Sequence, residues 1–415
     1  MKKGIKIGLK IASSLLLLAV TLLAGYIWGQ LNMLQRFTNT EVNAVYLHRE
    51  QFVEDFTEVS NLIKRNYSFL ESKQINADSL FQVYLHYVKM AESFAEYQTL
   101  LLRYFAELRN SHINVIIRPW YNIEGSGALL VENRVFIDRV GRSTALAGVN
   151  VNDEIIAVEG VPVLEWISKQ QRYISASTDS DRFRRAVWRI FSSHLPGTRT
   201  LLLNTRSGEK EVTLSFVRIP ANNNNIVAHA INDYIGYIEV RSMQGNVVGE
   251  FRNQFEKLRK KPNLIIDLRR NDGGTSTFGD AMAEYLIKEE QRASVGGRRL
   301  RPQANHYEGN LIVLIGTATF SAGESFALDL KESGIATLIG SETAGCTGNR
   351  PRAFTTTFGT SFDIPTRAPQ LSPQGFPMEG VGIPPHIFVY QTVEDYLNGI
   401  DTVLEFAINF ASKTR

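Results

Sequence analysis

The chain has 415 residues and is too long for one ordinary domain, because domains of roughly 150 residues predict two or three of them. Apolar residues make up 44% and charged residues 21% of the sequence, which excludes a long disordered protein. The 45 basic and 42 acidic residues leave a net charge of only +3, which argues against a nucleic-acid-binding protein. The single cysteine, Cys346, excludes a disulfide framework and every cysteine-based zinc or iron-sulfur site.

The N-terminus predicts export from the cytoplasm. Four lysines within the first ten residues precede an apolar run over residues 11–28, and a basic flank before such a run is typical of an export signal or anchor. Cleavage after Ala24 would place Leu22 where a small residue is needed, so residues 1–33 favour an uncleaved membrane anchor over a removed signal. The rest of the chain is then expected to face the periplasm or exterior, or to be secreted if the signal is cleaved.

Residues 41–121 predict a small helical domain. Two runs of apolar residues recur at helical spacing, and Asn76-Ala-Asp78 supplies a start signal for the second helix. The runs are Phe52, Phe56, Val59, Leu62 and Ile63, and then Leu80, Val83, Tyr84 and Tyr87. The pattern becomes extended at Leu108-Arg-Asn-Ser-His-Ile-Asn-Val115.

Residues 122–217 predict a mostly-β module. Short strands bounded by turn residues are interrupted by one helix at residues 181–193. The strands are expected at residues 125–130, 134–137, 155–158, 200–204 and 211–216. This module is either a structural insert or a sheet whose edge accepts a peptide strand. In the second case the loop of Gly125, Ser126 and Gly127 would hold a terminal carboxylate.

Residues 226–411 predict an α/β core. Buried strands are expected at residues 264–267, 310–315 and 336–340, with helices at residues 277–290 and 322–333 between them. An alternation of strand and helix is typical of a largely parallel sheet covered by helices.

The strongest local signal lies at Gly316-Thr-Ala-Thr-Phe-Ser-Ala-Gly-Glu-Ser-Phe326. A buried strand runs into a turn of small residues and a helix follows, so Ser321 stands at a helix N-terminus. Free N–H groups and the positive end of the helix dipole stabilise negative charge there. Ser321 is therefore either a nucleophile or only the N-cap of the helix.

A second signal, Asp267-Leu-Arg-Arg-Asn-Asp-Gly-Gly274, follows the preceding strand. Paired glycines let the backbone approach a ligand, so their N–H groups are candidate oxyanion donors, although most such pairs are plain turns. A serine nucleophile also needs a base, and the residue pattern alone does not choose among the histidines. These are His48, His86, His112, His194, His229, His306 and His386.

Five motifs in one order resemble the C-terminal-processing and tricorn-type serine peptidases. They are Leu108-Arg-Asn-Ser-His112, the module around residues 125–160, Asp267–Gly274, Thr319-Phe-Ser-Ala-Gly-Glu324 and Glu379-Gly-Val-Gly-Ile-Pro384. The resemblance implies a crotonase-like superhelical α/β peptidase core, preceded by an N-terminal helical segment. It also implies that the mostly-β module is a PDZ-like domain inserted between them.

This family uses two catalytic designs. One is a Ser–Lys dyad, whose lysine lies in a Gly-Lys-Gly string downstream of the serine, and here that string corresponds to Gly345-Cys-Thr347. Because the lysine is missing, the resemblance favours the tricorn-type tetrad of serine, histidine, an adjacent serine and a glutamate. That tetrad falls on Ser321, His112, Ser111 and Glu379.

The resemblance thus implies acyl-enzyme chemistry without a metal or cofactor. Ser321 would attack a peptide carbonyl while His112 accepts its proton, and Ser111 and Glu379 would form a relay that orients the imidazole. The backbone N–H groups of Gly274 and Ala322 would stabilise the oxyanion.

Three functions therefore compete. The leading one is a serine endopeptidase acting on exported polypeptides, which the PDZ-like loop would bind by their C-termini. The second is a ligand-binding protein that keeps the fold without catalysis, as retinoid-binding relatives do. The third is a scaffold that gathers protein C-termini. None involves nucleic acid, and the sequence does not predict an oligomeric state.

Overall fold

The structure, a computed structural model, describes residues 46–117, 120–218, 225–348 and 350–413. The predicted signal or anchor at residues 1–33 lies outside these ranges. Among the described residues, none of the helices is both long and apolar enough to cross a membrane.

The α-helices of the described ranges are, in chain order, α1 (Phe52–Asn66), α2 (Ala77–Met90), α3 (Phe94–Ala106), α4 (Arg142–Leu146), α5 (Val163–Gln170), α6 (Asp179–Trp188), α7 (Val247–Leu258), α8 (Ser276–Ala283), α9 (Ala322–Glu332), α10 (Val393–Leu397) and α11 (Thr402–Lys413). The strands are β1 (Asn114–Val115), β2 (Tyr121–Asn122), β3 (Gly127–Val131), β4 (Arg134–Arg139), β5 (Glu154–Val158), β6 (Val161–Pro162), β7 (Ser192–Ser193), β8 (Thr198–Thr205), β9 (Gly208–Ser215), β10 (Ile226–Ala230), β11 (Ile235–Val240), β12 (Asn263–Asp267), β13 (Gln291–Arg292), β14 (Arg299–Leu300), β15 (Asn310–Ile315), β16 (Ala336–Gly340), β17 (Pro351–Thr355), β18 (Ser361–Pro365) and β19 (Ile387–Phe388).

Aromatic side chains pack among the first three helices, and Tyr84 of α2 meets Tyr104 of α3 edge-on with the ring centroids 5.4 Å apart. The rings of Phe52 and Tyr97 stack with their centroids 4.7 Å apart, and Phe56 meets Tyr104 edge-on at 4.9 Å. Such pairs add to the stability that burial alone provides. The start of α2 is capped as predicted, since the Asn76 side chain accepts a hydrogen bond from a backbone N–H in its first turn.

A six-stranded sheet forms the core, with the order β10-β11-β12-β15-β16-β19. β10 is antiparallel to β11, and the other pairs are parallel. Both faces are covered, because α7, α8 and α9 pack on one side while α11 packs on the other. Strands buried on both faces are expected to be continuously apolar. The predicted α/β core with N-terminal helices is thus confirmed.

The mostly-β module contains an antiparallel sheet with the order β3-β4-β5-β8-β9, and β6 pairs with β5. Its own apolar core includes Val135, Ile167, Val187 and Leu201. The helix predicted at residues 181–193 is α6, which begins at Asp179 and ends at Trp188.

A small sheet, β1-β18-β17, joins the end of the helical segment to the core. Asn114 pairs with Asp363 and Val115 with Phe362. From Leu47 onward the chain forms one compact unit. The domain boundaries 41–121, 122–217 and 226–411 stay predictions.

Candidate active site

Ser321 has an unusual backbone conformation at the start of α9. Its φ is 51° and its ψ is −113°, a region that non-glycine residues enter at a cost of about 1–3 kcal/mol. The preceding turn holds this geometry, because Thr319 Oγ1 donates to the Leu268 carbonyl at 2.8 Å and Phe320 N donates to the Asn271 carbonyl at 2.9 Å. Strain of this kind concentrates at functional sites, and it is the geometry that lifts a nucleophile out of a strand-to-helix turn.

Glu324 fixes the Ser321 backbone from inside the protein. Its fully buried carboxylate accepts hydrogen bonds from Ser321 N at 2.9 Å, Gly345 N at 2.7 Å and Cys346 N at 3.0 Å. Burial raises the pKa of this carboxyl, although hydrogen bonds from Thr343, Cys346 and Gly345 oppose the shift. Glu324 therefore ties the serine to the loop that carries Cys346. Glu324 belongs to the motif that ends at this residue, but the motif does not predict this role.

The glycine pair predicted to donate to the oxyanion lies against Ser321. β12 and β15 are parallel neighbours, so the loops after them meet at the same edge of the sheet. A Cβ on Gly273 would lie 2.8 Å from Ser321 Cβ and 3.3 Å from Ala322 N, so only glycine fits there. The segments carrying Gly274 and Ala322 are thus adjacent.

His112 reaches Ser321 across a large separation in sequence. Its Nε2 lies 2.8 Å from Ser321 Oγ. Three contacts place the ring: β1 pairs with β18 just after it, the Asn110 side chain accepts from His112 N at 2.8 Å, and the Phe320 ring lies 5.3 Å away. Among the seven histidines, the structure brings His112 to the serine.

The environment keeps His112 neutral. Burial lowers the pKa of this imidazole to about 4, and the nearby Arg185 guanidinium adds to the shift while Asp181 opposes it. A neutral imidazole at neutral pH is able to accept a proton. His112 Nδ1 is buried, and within the described ranges it has no hydrogen-bond partner.

Ser111 is held by the carboxylate of Asp181, which the sequence does not predict to be part of the site. Its hydroxyl donates to Asp181 Oδ2 at 2.7 Å and accepts from Ser177 N at 2.8 Å. Asp181 is fully buried and lies on α6, where it forms ion pairs with Arg184 and Arg185. No local motif marks it, because Ser111 and Asp181 are 70 residues apart.

Glu379 stands in the loop beside Cys346, with which it forms an isolated β-bridge. Its carboxylate accepts from Lys73 Nζ at 2.8 Å, and both side chains are largely buried. Lys73 also donates to the Arg109 carbonyl, two residues before Ser111. The structure thus brings Ser321 and His112 into direct contact, with Ser111 adjacent in sequence, whereas Glu379 is tied to this segment through Lys73.

Cys346 occupies the position of the missing dyad lysine. It is buried, its Sγ donates to Glu324 Oε2 at 3.2 Å, and burial raises the pKa of the thiol well above its ordinary value. It is therefore an uncharged packing residue. In the described part of the chain no cluster of histidine, cysteine and acidic side chains is arranged to hold a metal ion.

The predicted carboxylate loop opens strand β3 in the mostly-β module. Ser126 Oγ donates to Thr144 Oγ1 at 2.8 Å and accepts from Gly141 N at 3.1 Å. A Cβ on Gly125 would lie 3.1 Å from Gly141 Cα. The loop from Gly125 to Gly127 therefore packs against the segment before α4, and its role as a peptide site stays a prediction.

The fold and the contact between Ser321 and His112 are those expected of a serine-type peptidase. A family model described as peptidase family S41 matches residues 234–389, and one for the N-terminal domain of Bacteroidetes S41 peptidases matches residues 130–216. The chain belongs to the C-terminal-processing and tricorn-type peptidases of family S41, which confirms the resemblance seen in the sequence.

Curated relatives include both branches of this family. Over 62% of this chain, the sequence is 24% identical to a tricorn protease of Thermoplasma volcanium, of which 24% is covered. Over 51% of this chain it is 24% identical to a carboxyl-terminal-processing protease of Picosynechococcus sp., of which 50% is covered. The chain thus spans about a quarter and a half of these relatives' lengths.

Solved structures share the fold. The structure of mature CPAF complexed with lactacystin superimposes with a TM-score of 0.71 at 14% identity, covering 88% of this chain and 99% of the other. A photosystem II D1 C-terminal processing protease superimposes with a TM-score of 0.52 at 17% identity, covering 82% and 93%.

Proposed function

We propose that this chain is a serine endopeptidase with Ser321 as nucleophile and His112 as general base. The observation that carries the proposal is the 2.8 Å contact between Ser321 Oγ and His112 Nε2, made by a serine in a strained conformation at a helix N-terminus. A neutral base within hydrogen-bond reach of a hydroxyl is the arrangement that activates a serine.

The reaction follows from this geometry. Ser321 Oγ attacks the peptide carbonyl carbon, and its proton passes to His112 Nε2. The oxyanion is stabilised by the N–H groups of Gly274 and Ala322, each contributing about 3 kcal/mol, together with the positive end of α9. His112 then protonates the leaving amine as the C–N bond breaks. A water molecule, deprotonated by His112, then attacks the acyl-enzyme carbonyl, and the ester bond to Ser321 breaks. This step releases a product with a new C-terminal carboxylic acid and returns Ser321 to its free form.

Ser111 and Glu379 complete the proposed tetrad by holding the segment that carries His112, since His112 Nδ1 itself has no hydrogen-bond partner in the described ranges. Support comes from their positions, since Ser111 precedes His112 and Glu379 pairs with Lys73, which also contacts the Ser111 segment. The resemblance gives both residues this role in tricorn-type enzymes.

The proposed substrates are exported polypeptides, held by their C-termini at the Gly125–Gly127 loop of a PDZ-like module. A similar protein is named a carboxyl-terminal-processing protease, which supports C-terminal binding of polypeptides. Within residues 1–33, lysines precede an apolar run, which supports exported substrates. The proposed location is the cell membrane, with the enzyme facing the periplasm or exterior.

The test is hydrolysis of an unfolded polypeptide, followed by mass spectrometry of the new chain ends. Wild type should generate new ends, Ser321→Ala should not, and Ser333→Ala at the opposite end of α9 should match wild type. A folded wild type without cleavage would favour a non-catalytic binding or scaffold protein on this fold. One observation points that way, namely that His112 Nδ1 has no partner in the described ranges.

A further inference from the structure

We infer that Asp181 is a positioning residue of this site, and that it acts by holding the Ser111 hydroxyl and so aligning His112 with Ser321. The inference rests on the proposed function, because alignment has a measurable consequence only if Ser321 reacts. It assigns to the mostly-β module a residue that supports the site in the core.

Hydrogen bonds on several sides clamp the segment before His112. Ser111 N donates to Ser177 Oγ at 2.9 Å, Ser177 N donates back to Ser111 Oγ at 2.8 Å, and Ser111 Oγ donates to Asp181 Oδ2 at 2.7 Å. Asn110 makes a similar exchange, since its N–H donates to Ser175 Oγ and its carbonyl accepts from the same hydroxyl. The backbone that carries His112 is thus attached to residues 175–181.

The charge of Asp181 fixes the direction of its hydrogen bond. Burial alone would raise the pKa of this carboxyl, but Arg185, Arg184 and the Ser111 hydrogen bond lower it below its ordinary value. An ionised carboxylate only accepts hydrogen bonds. Ser111 must therefore donate its one proton to Asp181, which leaves the oxygen to accept from Ser177 N and gives the hydroxyl one orientation.

Asp181 is itself held rigidly between the module and the core. Thr178 caps α6, with its Oγ1 accepting from Asp181 N at 3.2 Å and donating to the Ala344 carbonyl at 2.8 Å. Farther along the helix, Ala186 and Val187 are buried in the core of the module. Residues held by packing and by outer hydrogen bonds keep a catalytic group within the narrow range that reaction requires.

Arg185 links Asp181 to Phe320, the residue that precedes the proposed nucleophile. Its Nε pairs with Asp181 Oδ2 at 2.7 Å, its Nη2 donates to the Ser111 carbonyl at 3.2 Å, and its guanidinium lies over the Phe320 ring at 4.9 Å. Phe320 directly precedes Ser321 and contacts the His112 ring. Asp181 is therefore linked to His112 through Ser111, and to Ser321 through Arg185 and Phe320 in succession.

The experiment is a double-mutant cycle on peptide hydrolysis with Asp181→Asn, Ser111→Ala and their combination. Asp181→Asn should lower kcat by about 10- to 100-fold, as a displaced catalytic group does, and leave KM within about twofold because substrate contacts are untouched. In the Ser111→Ala background the same change should have almost no further effect. Asp179→Asn is the matched control, because Asp179 lies on the same helix with its side chain 97% exposed, and it should keep wild-type rates.

Circular dichroism shows whether each variant is folded. If Asp181→Asn is unfolded because two arginines lose their counter-ion, Asp181→Asn with Arg184→Gln removes one of those cations and is measured instead. Unchanged kcat in a folded variant, or losses that multiply in the double variant, would overturn the inference alone. A folded wild type without turnover would overturn the proposed function, and the inference with it.

Discussion

Ser321 adopts a backbone conformation that suits glycine, with φ 51° and ψ −113°. These angles match the first central position of a type II′ turn, which glycine fills without strain. The strained turn sets the hydroxyl at the start of α9, 2.8 Å from His112 Nε2. Under the proposed function, the cost in stability at this position serves the reactivity of the serine.

A matched pair of variants measures that strain. Ser321→Gly and Ser321→Ala both remove the hydroxyl, but only glycine relieves the backbone. Glycine has greater freedom in the unfolded chain, which offsets part of the relief. We expect the Ser321→Gly variant to be more stable than the Ser321→Ala variant, with a free energy of unfolding about 1 kcal/mol higher. Urea unfolding measures the difference. Equal stabilities, or a more stable alanine variant, would show that the turn is not strained.

The second residue-scale prediction concerns His112 and pH. Because burial and Arg185 lower its pKa to about 4, the imidazole is a neutral base above that pH. The rate of Ser321 labelling by a fluorophosphonate should therefore rise through about pH 4 and be level at neutral pH. Arg185→Gln removes a cation that disfavours the imidazolium, so it should move the midpoint upward. A wild-type midpoint at or above the ordinary 6.5 would contradict this account of the site.

The site could be predicted from sequence only where a residue belongs to a local motif. Ser321 and the glycine pair follow strands in recognisable turns, and His112 was selected by the family resemblance. Asp181 and Lys73 carry no such mark, because each contacts the site through a side chain brought from a distant segment. Only the fold brings them there.

At the scale of elements, continuous apolar runs predicted the core strands closely. β15 and β16 have the predicted bounds, and β12 begins one residue earlier, at Asn263. The helix predicted at residues 277–290 instead ends at Ala283, where the chain turns and still buries Leu286 and Ile287. A buried segment without helical backbone gives the same apolar pattern as a helix. Periodicity alone therefore does not distinguish a longer helix from a helix followed by a buried turn.

Helix α2 shows a further limit of periodicity. Its helical state was predicted correctly, but Val83 is 54% exposed and Tyr87 43% exposed, while Tyr84 and Val88 are buried. An apolar stripe wider than the contact surface does not reveal which edge packs inward. Helix α7, with Val247, Phe251, Phe255 and Leu258 buried at helical spacing, was not predicted although the pattern is present.

The ion pair between Lys73 and Glu379 links the loop after α1 to the core, and it is testable. Lys73 is 13% and Glu379 5% exposed, so Lys73→Met removes the cation from beside a buried carboxylate and should cost about 3 kcal/mol of unfolding free energy. Lys64→Met is the control, because its pair with Asp78 is 52% and 73% exposed and such pairs contribute about 0.5 kcal/mol.

Combining Lys73→Met with Glu379→Gln should cost less than the sum of the single changes, since the amide does not need the cation. Urea unfolding of the four proteins gives the coupling. Additive losses would show that the two side chains act independently.

At the scale of the whole molecule, the segments hold one another through polar contacts between distant residues. Buried Asp55 on α1 accepts from Tyr97 and Thr360, and Ser111 is bound to Asp181 in the mostly-β module. The Tyr396 hydroxyl donates to the Ile137 carbonyl, which joins α10 to the same module. Contacts of this kind favour unfolding of the described segments together.

That cooperativity is a prediction with two probes. Trp120, Trp166 and Trp188 lie in or beside the mostly-β module, so their fluorescence reports this module, whereas far-ultraviolet circular dichroism reports all helices and sheets. In a Trp28→Phe background, the two urea transitions should coincide. A fluorescence transition at lower urea would show that the module unfolds as a separate domain, as the boundaries at residues 122 and 217 imply.

The measurement that tests the central claim most directly is covalent labelling of the active serine. Wild type, Ser321→Ala and His112→Ala would be treated with a fluorophosphonate, and the adduct would be located by peptide mass spectrometry. We predict one adduct on Ser321 in wild type, none in Ser321→Ala, and a strongly reduced yield in His112→Ala. A correctly folded wild type without an adduct on Ser321, or equal labelling after loss of His112, would contradict the proposal that these two residues form a catalytic pair.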